Sequence, residues 1–480
     1  MKSMWLKMFA ALFALALVAS ACGSDSPVDS ADDIVSDDDD GGDGGEDEEA
    51  MEDEEEEAME DEDEEAMEDD EEEAMEDEGE AAVVTVTGPE RDESEAGAIQ
   101  EVLSAFGEEN GIEITYTGDA DWEANIDIQV EGNNPPNLSI FPQPGKLADF
   151  AREGSVVPLA DNVVAGMDWS EAWTTFGNVD GVQFGAPVKA DLKSLVWYKP
   201  QAFADNGYEI PTTFDDFVAL TATMISDGNT PLCVGIESGQ ATGWTYTDWV
   251  EDMVLRQHGA DVYDGWVTND VPFDDPQIIE SMQTVLDLWN TDGMVFASGG
   301  SIAATAFQDN GQPLVDGQCM MHRQASFYSA FIPEGTAFAD GSADAVDVFY
   351  FPDINGDAPV LGAGTLVAAF DDNEATMMVA EYMAGAEYAE ARQVAQTALN
   401  GGGLSGFLSA AEGQDPSVYA DLEQSFLEIL QSAAIVRFDA SDLMPAEVGA
   451  GTFWSEGTSA VNGDQDAAEA AAKIQASWPS

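Results

Sequence analysis

The pattern of apolar and polar residues after position 80 predicts a strand, a helix and a second strand. Residues 83–87 alternate with the period of a strand and stop at Gly88-Pro89. A helical stripe follows and ends at Asn110-Gly111, after which residues 112–117 alternate again. The stripe consists of Ala96, Ile99, Leu103 and Phe106. This order predicts a βαβ unit and therefore a parallel sheet, whose ligands usually bind at the carboxyl ends of the strands.

Two Asp-Pro pairs predict where two later helices begin, because proline is favoured in the first turn. Asp275-Pro276 and Asp415-Pro416 are each followed by apolar residues at helical spacing. These residues are Ile279, Met282, Leu286 and Trp289 in the first helix and Val418, Leu422, Phe426 and Ile429 in the second. The 400 residues after position 80 suffice for two lobes and contain no second membrane segment, so we expect an α/β protein.

The N-terminus has the pattern of a secretory signal. Lys2 and Lys7 precede an apolar run over residues 8–18, which is too short to span a bilayer. Small residues then lead to Cys22, in a pattern that resembles a bacterial lipobox. We therefore expect residues 1–22 to be a lipoprotein signal peptide and Cys22 to carry the lipid. This predicts an extracytoplasmic protein anchored to the bacterial cell membrane.

Residues 23–80 form an acidic low-complexity segment. Between Asp25 and Glu80 there are 35 acidic residues and no Lys or Arg. Ala-Met-Glu-Asp recurs every eight residues, at Ala50, Ala58, Ala66 and Ala74. This period gives no continuous helical stripe, and charges of one sign repel each other, so we expect a disordered spacer. A weak cation-binding role is the alternative.

The rest of the chain is also strongly acidic. Residues 81–480 hold 63 of the 98 acidic residues and 11 of the 13 basic ones, a formal net charge of −52. Such a surface repels nucleic acid and anionic lipid. Two interpretations stay open: adaptation to a salty or acidic medium, and an acidic interaction surface.

Cysteine and histidine usage limits the chemistry. Apart from Cys22 the cysteines are Cys233 and Cys319, an even pair in an exported chain, so we expect a disulfide between them. His258 and His322 have no companions at metal-ligand spacing, and we expect no metal site. We also expect no cofactor.

Several long motifs, in a fixed order, connect the chain with a known family. They are residues 88–91, 132–145, 187–198, 235–239, 241–244, 247–252, 319–327 and 449–454. These motifs resemble those of extracellular solute-binding proteins that feed carbohydrate ABC importers. The likeness is strongest to the α-glucoside-binding branch, which is related to maltose-binding protein, and it covers residues 83 to about 478.

The resemblance implies the two-lobed periplasmic-binding-protein fold of type II. Each lobe is then a mostly parallel sheet flanked by helices, with the ligand cleft between the lobes. The implied boundaries are residues 81–190 and 362–400 for lobe I and residues 191–361 and 401–480 for lobe II. Hinge crossings are expected near residues 188–193, 351–364 and 400–405.

The resemblance also implies function and partners. It predicts a protein without enzymatic activity that captures an α-glucoside or a similar di- or oligosaccharide. The expected partners are two permease subunits in the membrane and their cytoplasmic ATPase, all on separate chains. We expect the binding protein itself to be a monomer.

A sugar offers apolar C–H faces that pack on aromatic rings and hydroxyl groups that need polar side chains. The family motifs assign candidates for both roles. In the first lobe and at the hinge they are Phe141, Gln143, Lys189 and, less directly, Asp121. The remaining candidates are Glu237, Trp244, Arg323, Gln324 and the stacking tryptophan Trp454. Relatives often carry Gly-Gly-Asp where this chain has residues 362–365, Gly-Ala-Gly-Thr, which predicts the loss of one polar contact.

Structural roles compete with these assignments. Trp197 and Trp249 have apolar neighbours and are expected in the core. Arg323 could be part of a structural ion pair, and Lys189 or Lys193 could neutralise nearby carboxylates. A secreted glycoside hydrolase is the competing function, because carboxylates beside aromatic rings also describe its active site. A wall or adhesion lipoprotein would explain the spacer but not the motifs.

Overall fold

The computed structural model describes residues 81–479; the predicted signal peptide, Cys22 and the acidic spacer lie outside these residues. The strands are β1 (Ala82–Gly88), β2 (Ile112–Gly118), β3 (Leu138–Phe141), β4 (Asn178–Val179), β5 (Val182–Gln183), β6 (Gly185–Leu192), β7 (Leu195–Tyr198), β8 (Leu232–Cys233), β9 (Val295–Phe296), β10 (Met321–Gln324), β11 (Asp347–Tyr350), β12 (Val360–Ala369) and β13 (Val436–Phe438).

The helices lie between and after these strands. They are α1 (Glu93–Asn110), α2 (Trp122–Glu131), α3 (Pro144–Glu153), α4 (Asp161–Gly166), α5 (Glu171–Thr174), α6 (Pro200–Asn206), α7 (Phe214–Ser226), α8 (Trp244–His258), α9 (Ala260–Val267), α10 (Pro276–Trp289), α11 (Gly311–Val315), α12 (Glu374–Met383), α13 (Ala386–Leu399), α14 (Asp421–Ser432), α15 (Ala440–Leu443), α16 (Trp454–Val461) and α17 (Ala467–Ala476). None of these helices is both long and apolar enough to cross a membrane.

The first sheet has the strand order β13-β12-β3-β1-β2, and β6 pairs with β12. β1 is parallel to β2 and β3, which confirms the predicted βαβ unit β1-α1-β2. α1 ends where predicted, because Gly111 adopts a φ of 70° and its amide bonds to the carbonyl of Gly107. β12 is antiparallel to β3 and β6 and parallel to β13.

The second sheet has the order β11-β7-β10-β8-β9. β8 is parallel to β9 and β10, whereas β7 is antiparallel to β10 and β11. Helices cover both sheets, so the structure has two α/β lobes. The chain passes from the first sheet to the second between Leu192 and Leu195. It returns in β12, and β13 adds a later segment, Val436–Phe438, to the first sheet.

Of the two helices predicted from the Asp-Pro pairs, α10 begins where expected and α14 begins later. α10 starts at Pro276, and the side chain of Asp275 caps it by accepting from the amide of Gln277 at 2.9 Å. Asp415-Pro416 instead begins a short 3-10 turn, Pro416–Val418, because Tyr419 and Ala420 are extended. The helix α14 begins only after them.

Large aromatic side chains fill the cores of both lobes. Trp197 is fully buried, and its indole N–H donates to the carbonyl of Gln324. Trp249 packs against Trp289 with ring centroids 5.6 Å apart. Both tryptophans therefore have the structural role predicted for them. The predicted disulfide is also confirmed: Cys233 at the end of β8 is bonded to Cys319, just before β10.

Candidate functional site

A cavity of about 170 Å³ lies where the two sheets meet. The carboxyl ends of the three parallel strands β2, β1 and β3 reach it through Ala120, the 89–92 loop and Pro142-Gln143. This is the position that the topology predicts for a ligand of a parallel sheet. The second lobe contributes the N-terminus of α8 and aromatic residues around β10, and β6, β12 and α15 complete the wall.

Four of the nine residues assigned by motif line this cavity: Gln143, Lys189, Trp244 and Trp454. They come from the loop after β3, from β6, and from the first turns of α8 and α16. Residues up to 311 positions apart in sequence are thus brought together. The other five lie elsewhere, each with an identifiable partner or environment.

Phe141 is in the core of the first lobe. It is fully buried, and its ring meets those of Trp122 and Phe150 edge-on at centroid distances of 5.1 and 5.9 Å. Since β3 ends at Phe141, the chain turns immediately after it, and Gln143 reaches the cavity instead.

Arg323 and Gln324 are buried beside the cavity but do not line it. The guanidinium of Arg323 donates to Asp252, and its Nη1 lies 3.9 Å from Asp248. It also lies over the Trp249 ring, 5.4 Å from the centroid. The amide oxygen of Gln324 accepts from the backbone N–H of Ala325 at 2.8 Å. Arg323 is therefore held in a structural ion pair, the alternative role recognised from the sequence.

Glu237 and Asp121 lie next to residues that line the cavity. The carboxylate of Glu237 accepts from the backbone N–H of Gly239 at 2.8 Å, while the neighbouring Ser238 lines the wall. Asp121 is exposed and precedes α2. A Cβ added to Gly239 would lie 2.8 Å from Asp121 Oδ1, so these loops of the two lobes approach each other closely.

A buried charge cluster forms one end of the cavity. The ammonium group of Lys193 donates to Asp248 at 2.7 Å and to Asp439 at 2.6 Å. Burial raises the pKa of Asp248 to about 7, against the effect of Lys193. Burial also acts on Asp439, but Lys193 outweighs it and holds the pKa of Asp439 at about 2. Burial and the charge of Asp439 raise the pKa of Asp442 well above its usual value.

Carboxylate oxygens of Asp248, Glu251 and Asp439 lie within 4.8 Å of one another, the spacing of a potential cation site. The oxygens of Glu251 already accept the backbone amides of Ala440 and Ser441, at 3.0 and 3.2 Å. Lys193 supplies a positive charge to the other two carboxylates. Each of the three carboxyl groups therefore already accepts a hydrogen bond from Lys193 or from the backbone.

The opposite end of the cavity leaves polar groups available. Lys189 Nζ lies 3.6 Å from Asp191 and 3.9 Å from Glu95, beyond hydrogen-bond distance, and 5.1 Å from the centroid of the Phe327 ring. Burial raises the pKa of Glu95 to about 7, while Lys189 opposes that shift. Lys189 can therefore still donate hydrogen bonds to a ligand.

Six buried polar atoms of the lining have no hydrogen-bond partner among the described residues. Three are carboxylate oxygens with a basic side chain 3.5–3.9 Å away, on Glu90, Asp191 and Asp248. The other three are Gln143 Oε1, Thr365 Oγ1 and Trp454 Nε1. Buried polar atoms are normally paired, and leaving one unpaired costs roughly 1–3 kcal/mol. Thr365 belongs to the stretch where relatives often carry Gly-Gly-Asp and where the sequence predicts the loss of one polar contact. The hydroxyl of Thr365 nevertheless places a polar group at this part of the wall.

Aromatic rings form the apolar part of the lining. Trp244 meets Phe307 edge-on at 5.0 Å and lies 6.1 Å from Phe327, while Phe331 is 5.4 Å from Phe307. Apolar rings beside unpaired donors and acceptors suit a ligand with C–H faces and hydroxyl groups.

Besides the carboxyl groups of the buried charge cluster, the motif assignments missed two groups of lining residues. One is the acidic and basic set after β1 and at the starts of α1 and α2, which applying the strand-end rule to β1 would have found in part. The other is the set of phenylalanines, for which the sequence carries no distinguishing signal. These residues are Glu90, Arg91, Asp92, Glu95, Glu123, Phe307, Phe327 and Phe331.

The sequence profile described as "Bacterial extracellular solute-binding protein" matches residues 92–390. The chain belongs to this family. The family comprises solute-binding components of sugar ABC transporters, which act outside the cytoplasm, and the predicted family is therefore confirmed.

Two relatives of this solute-binding protein are similar over most of their length. The osmoprotective compounds-binding protein GgtB of Synechocystis sp. is 38% identical over 389 residues, covering 79% of this chain and 89% of the relative. The alpha-glucosides-binding periplasmic protein AglE of Rhizobium meliloti is 36% identical over 415 residues, covering 83% and 87%.

The crystal structure of the bacterial solute receptor AcbH is similar in fold, with a TM-score of 0.69 and 19% identity. The match covers 83% of this chain and 97% of that receptor. The predicted two-lobed fold is thus confirmed for this solute-binding protein.

Proposed function

We propose that this protein captures an α-glucoside or a similar di- or oligosaccharide in the cavity and delivers it to an ABC permease. The observation that carries the proposal is the convergence of Gln143, Lys189, Thr365 and Trp454, with uncommitted polar atoms, beside the Trp244 ring. Hydroxyl groups of a sugar would pair these atoms, and its C–H faces would pack on the rings.

The size of the cavity favours a short ligand. A water molecule needs about 10–15 Å³ of cavity volume. The cavity volume of about 170 Å³ therefore has room for roughly a dozen water molecules. The name of AglE supports an α-glucoside, and that of GgtB supports an osmoprotective compound. A short α-glucoside agrees with the name of AglE and with the size of the cavity.

The proposed partners and location follow from the family and the N-terminal pattern. Two permease subunits would receive the sugar, with a cytoplasmic ATPase as their partner, and lipid on Cys22 would hold the monomeric binding protein at the membrane. Mass spectrometry of the membrane-bound protein tests the anchor. The expected N-terminal peptide begins at Cys22 and carries the mass of lipid; an unmodified N-terminus elsewhere contradicts it.

We further propose that the protein binds sugar without breaking it down, although its cavity contains carboxyl groups. The test is to incubate the purified mature chain with maltose, sucrose and trehalose while recording tryptophan fluorescence and analysing the sugar. Binding of an intact sugar is the expected outcome. Hydrolysis would favour a glycoside hydrolase, and neither binding nor hydrolysis would favour the wall or adhesion role.

A further inference from the structure

Arg91 differs from every other Lys and Arg side chain that the structure describes. Each of the others has a carboxylate oxygen within 4.0 Å of a side-chain nitrogen, and Arg91 has none. Residues 81–480 contain 63 acidic residues, so an unpaired guanidinium is not explained by a shortage of partners. Arg91 is half-buried and lines the cavity.

The loop that carries Arg91 is fixed from both sides. Its neighbour Glu90 is buried, and the carboxylate of Glu90 lies 3.5 Å from Arg392. The backbone carbonyl oxygen of Glu90 accepts a hydrogen bond from the Tyr116 hydroxyl at 2.9 Å. The loop also packs on Gly118: a Cβ there would lie 2.0 Å from the Glu90 carbonyl oxygen. A backbone held in this way fixes the point from which the Arg91 side chain extends, so that a ligand has to order only the side chain itself.

Two carboxyl groups of the lining respond to the charge of Arg91 but do not form an ion pair with it. Burial raises the pKa of Asp92 and of Glu123, and the charge of Arg91 opposes both shifts. Both residues line the same cavity. Ionised carboxylates can only accept hydrogen bonds, whereas the guanidinium can only donate them, through five N–H groups in a fixed fork.

A ligand group that satisfies both kinds of side chain must donate and accept. A pair of neighbouring sugar hydroxyls does this, because the hydroxyl hydrogens can point to carboxylates while the oxygens accept from the guanidinium. An anionic group would be repelled, since eight acidic residues and three basic ones line the cavity. We propose that Arg91 is a specificity-determining contact that binds neighbouring hydroxyl oxygens of a neutral sugar.

This inference rests on the proposed function, and its test separates the two. The unsubstituted mature chain, Arg91→Ala and Arg91→Lys are titrated by calorimetry with maltose, sucrose and trehalose. Arg152→Ala is the matched control, because it removes the same side chain from an exposed position in the same lobe. We expect Arg91→Ala to weaken the binding of the bound sugar at least tenfold, a change of about 1.4 kcal/mol.

Arg91→Lys should weaken binding by roughly threefold or more, because an ammonium group cannot replace the fork. Arg152→Ala should bind within about twofold of the unsubstituted chain, because surface ion pairs contribute little. Equal affinities for Arg91→Ala and the unsubstituted chain would overturn the inference and leave the proposed function standing. Failure of the unsubstituted chain to bind any of the three sugars would overturn both.

A second arm tests the charge of the ligand. The probes are a neutral methyl α-glucoside and the matching methyl α-glucuronide, which differs by one carboxylate. We expect the glucuronide to bind at least tenfold more weakly to the unsubstituted chain. Tighter binding of the glucuronide that disappears in Arg91→Ala would show that Arg91 serves an anion, and would overturn the neutral-ligand proposal.

Discussion

The two ends of the cavity each contain a buried lysine, and the difference between them separates structure from function. Lys193 donates to Asp248 and Asp439 at 2.7 and 2.6 Å, whereas Lys189 has its nearest carboxylates at 3.6 and 3.9 Å. The two residues are four positions apart in one motif, and both line the cavity. Lys193 therefore uses its ammonium group within the protein, whereas the ammonium group of Lys189 stays available to a ligand.

The same contrast distinguishes two arginines. Arg323, which the motif proposed as a ligand contact, is held by Asp252 beneath the cavity, while Arg91 has no carboxylate partner among the described residues. Residue type and motif position do not separate these cases. The hydrogen bonds that each side chain already makes separate the two arginines, because a side chain whose donors are used within the protein offers little to a sugar.

The largest predicted effect comes from removing Lys193. Lys193→Met would leave Asp439 without its counter-ion and Asp248 with only the longer contact to Arg323, and breaking a buried pair in this way costs about 3–5 kcal/mol. Urea unfolding of the variant measures the loss. Lys189→Met is the matched control and should cost less, because its ion contacts are longer. Equal losses in the two variants would abolish the distinction between the two ends.

The second prediction concerns pH and Glu95. The pKa of Glu95 is about 7 in the folded protein against an ordinary 4.5, so the fold holds this proton more tightly than the unfolded chain. The contribution of the protonated Glu95 to the free energy of unfolding is fully present below pH 4.5, and it is lost as the pH rises to about 7. At about 1.4 kcal/mol per pH unit, this amounts to up to roughly 3 kcal/mol.

Unfolding measured at several pH values tests this prediction. Glu95→Gln should lose the Glu95 part of the decline between pH 4.5 and 7 and keep the part contributed by Asp248, whose pKa is also about 7. Below pH 3.8 the protonation of Asp439 should destabilise the fold, because its pKa is lowered to about 2. An unchanged pH profile in Glu95→Gln would contradict the assignment.

The third prediction sharpens the comparison through binding. Lys189→Met should weaken sugar binding at least tenfold, about 1.4 kcal/mol, because the ammonium group is proposed to donate to the ligand. Calorimetry gives the affinity, and the melting temperature shows whether the variant is folded. A variant that is folded and binds like the parent would assign Lys189 to charge neutralisation alone.

The smallest predicted effect concerns Trp454, which has an unpaired indole N–H at the cavity and an apolar ring. Trp454→Ala should weaken binding about tenfold, and sugar should shift the tryptophan emission of the parent. Trp197→Phe is the control, since this residue is fully buried in the core. Trp197→Phe should change the free energy of unfolding more than the affinity for sugar. If it changed the affinity more than the stability, the roles of the two tryptophans would be exchanged.

Much of the fold could be predicted because it is encoded locally. Alternation and a terminal glycine marked β1, α1 and β2, and the count of cysteines in an exported chain was enough to pair Cys233 with Cys319. The start of α14 could not be predicted in this way. Asp415-Pro416 is an equally good start for a 3-10 turn, and the chain extends at Tyr419 before the helix begins.

The sequence by itself determined the family, the two-lobed α/β fold and four of the residues that line the cavity. Only the tertiary structure decided which polar groups are free to bind. Lys193 meets Asp439, 246 positions away, and no local pattern reports that contact. Periodicity and motifs record what neighbouring residues share, whereas the availability of a donor depends on partners from distant segments. Partners from other segments hold Phe141 and Arg323 in the interior, whereas Arg91 has no carboxylate partner among the described residues and is available at the cavity.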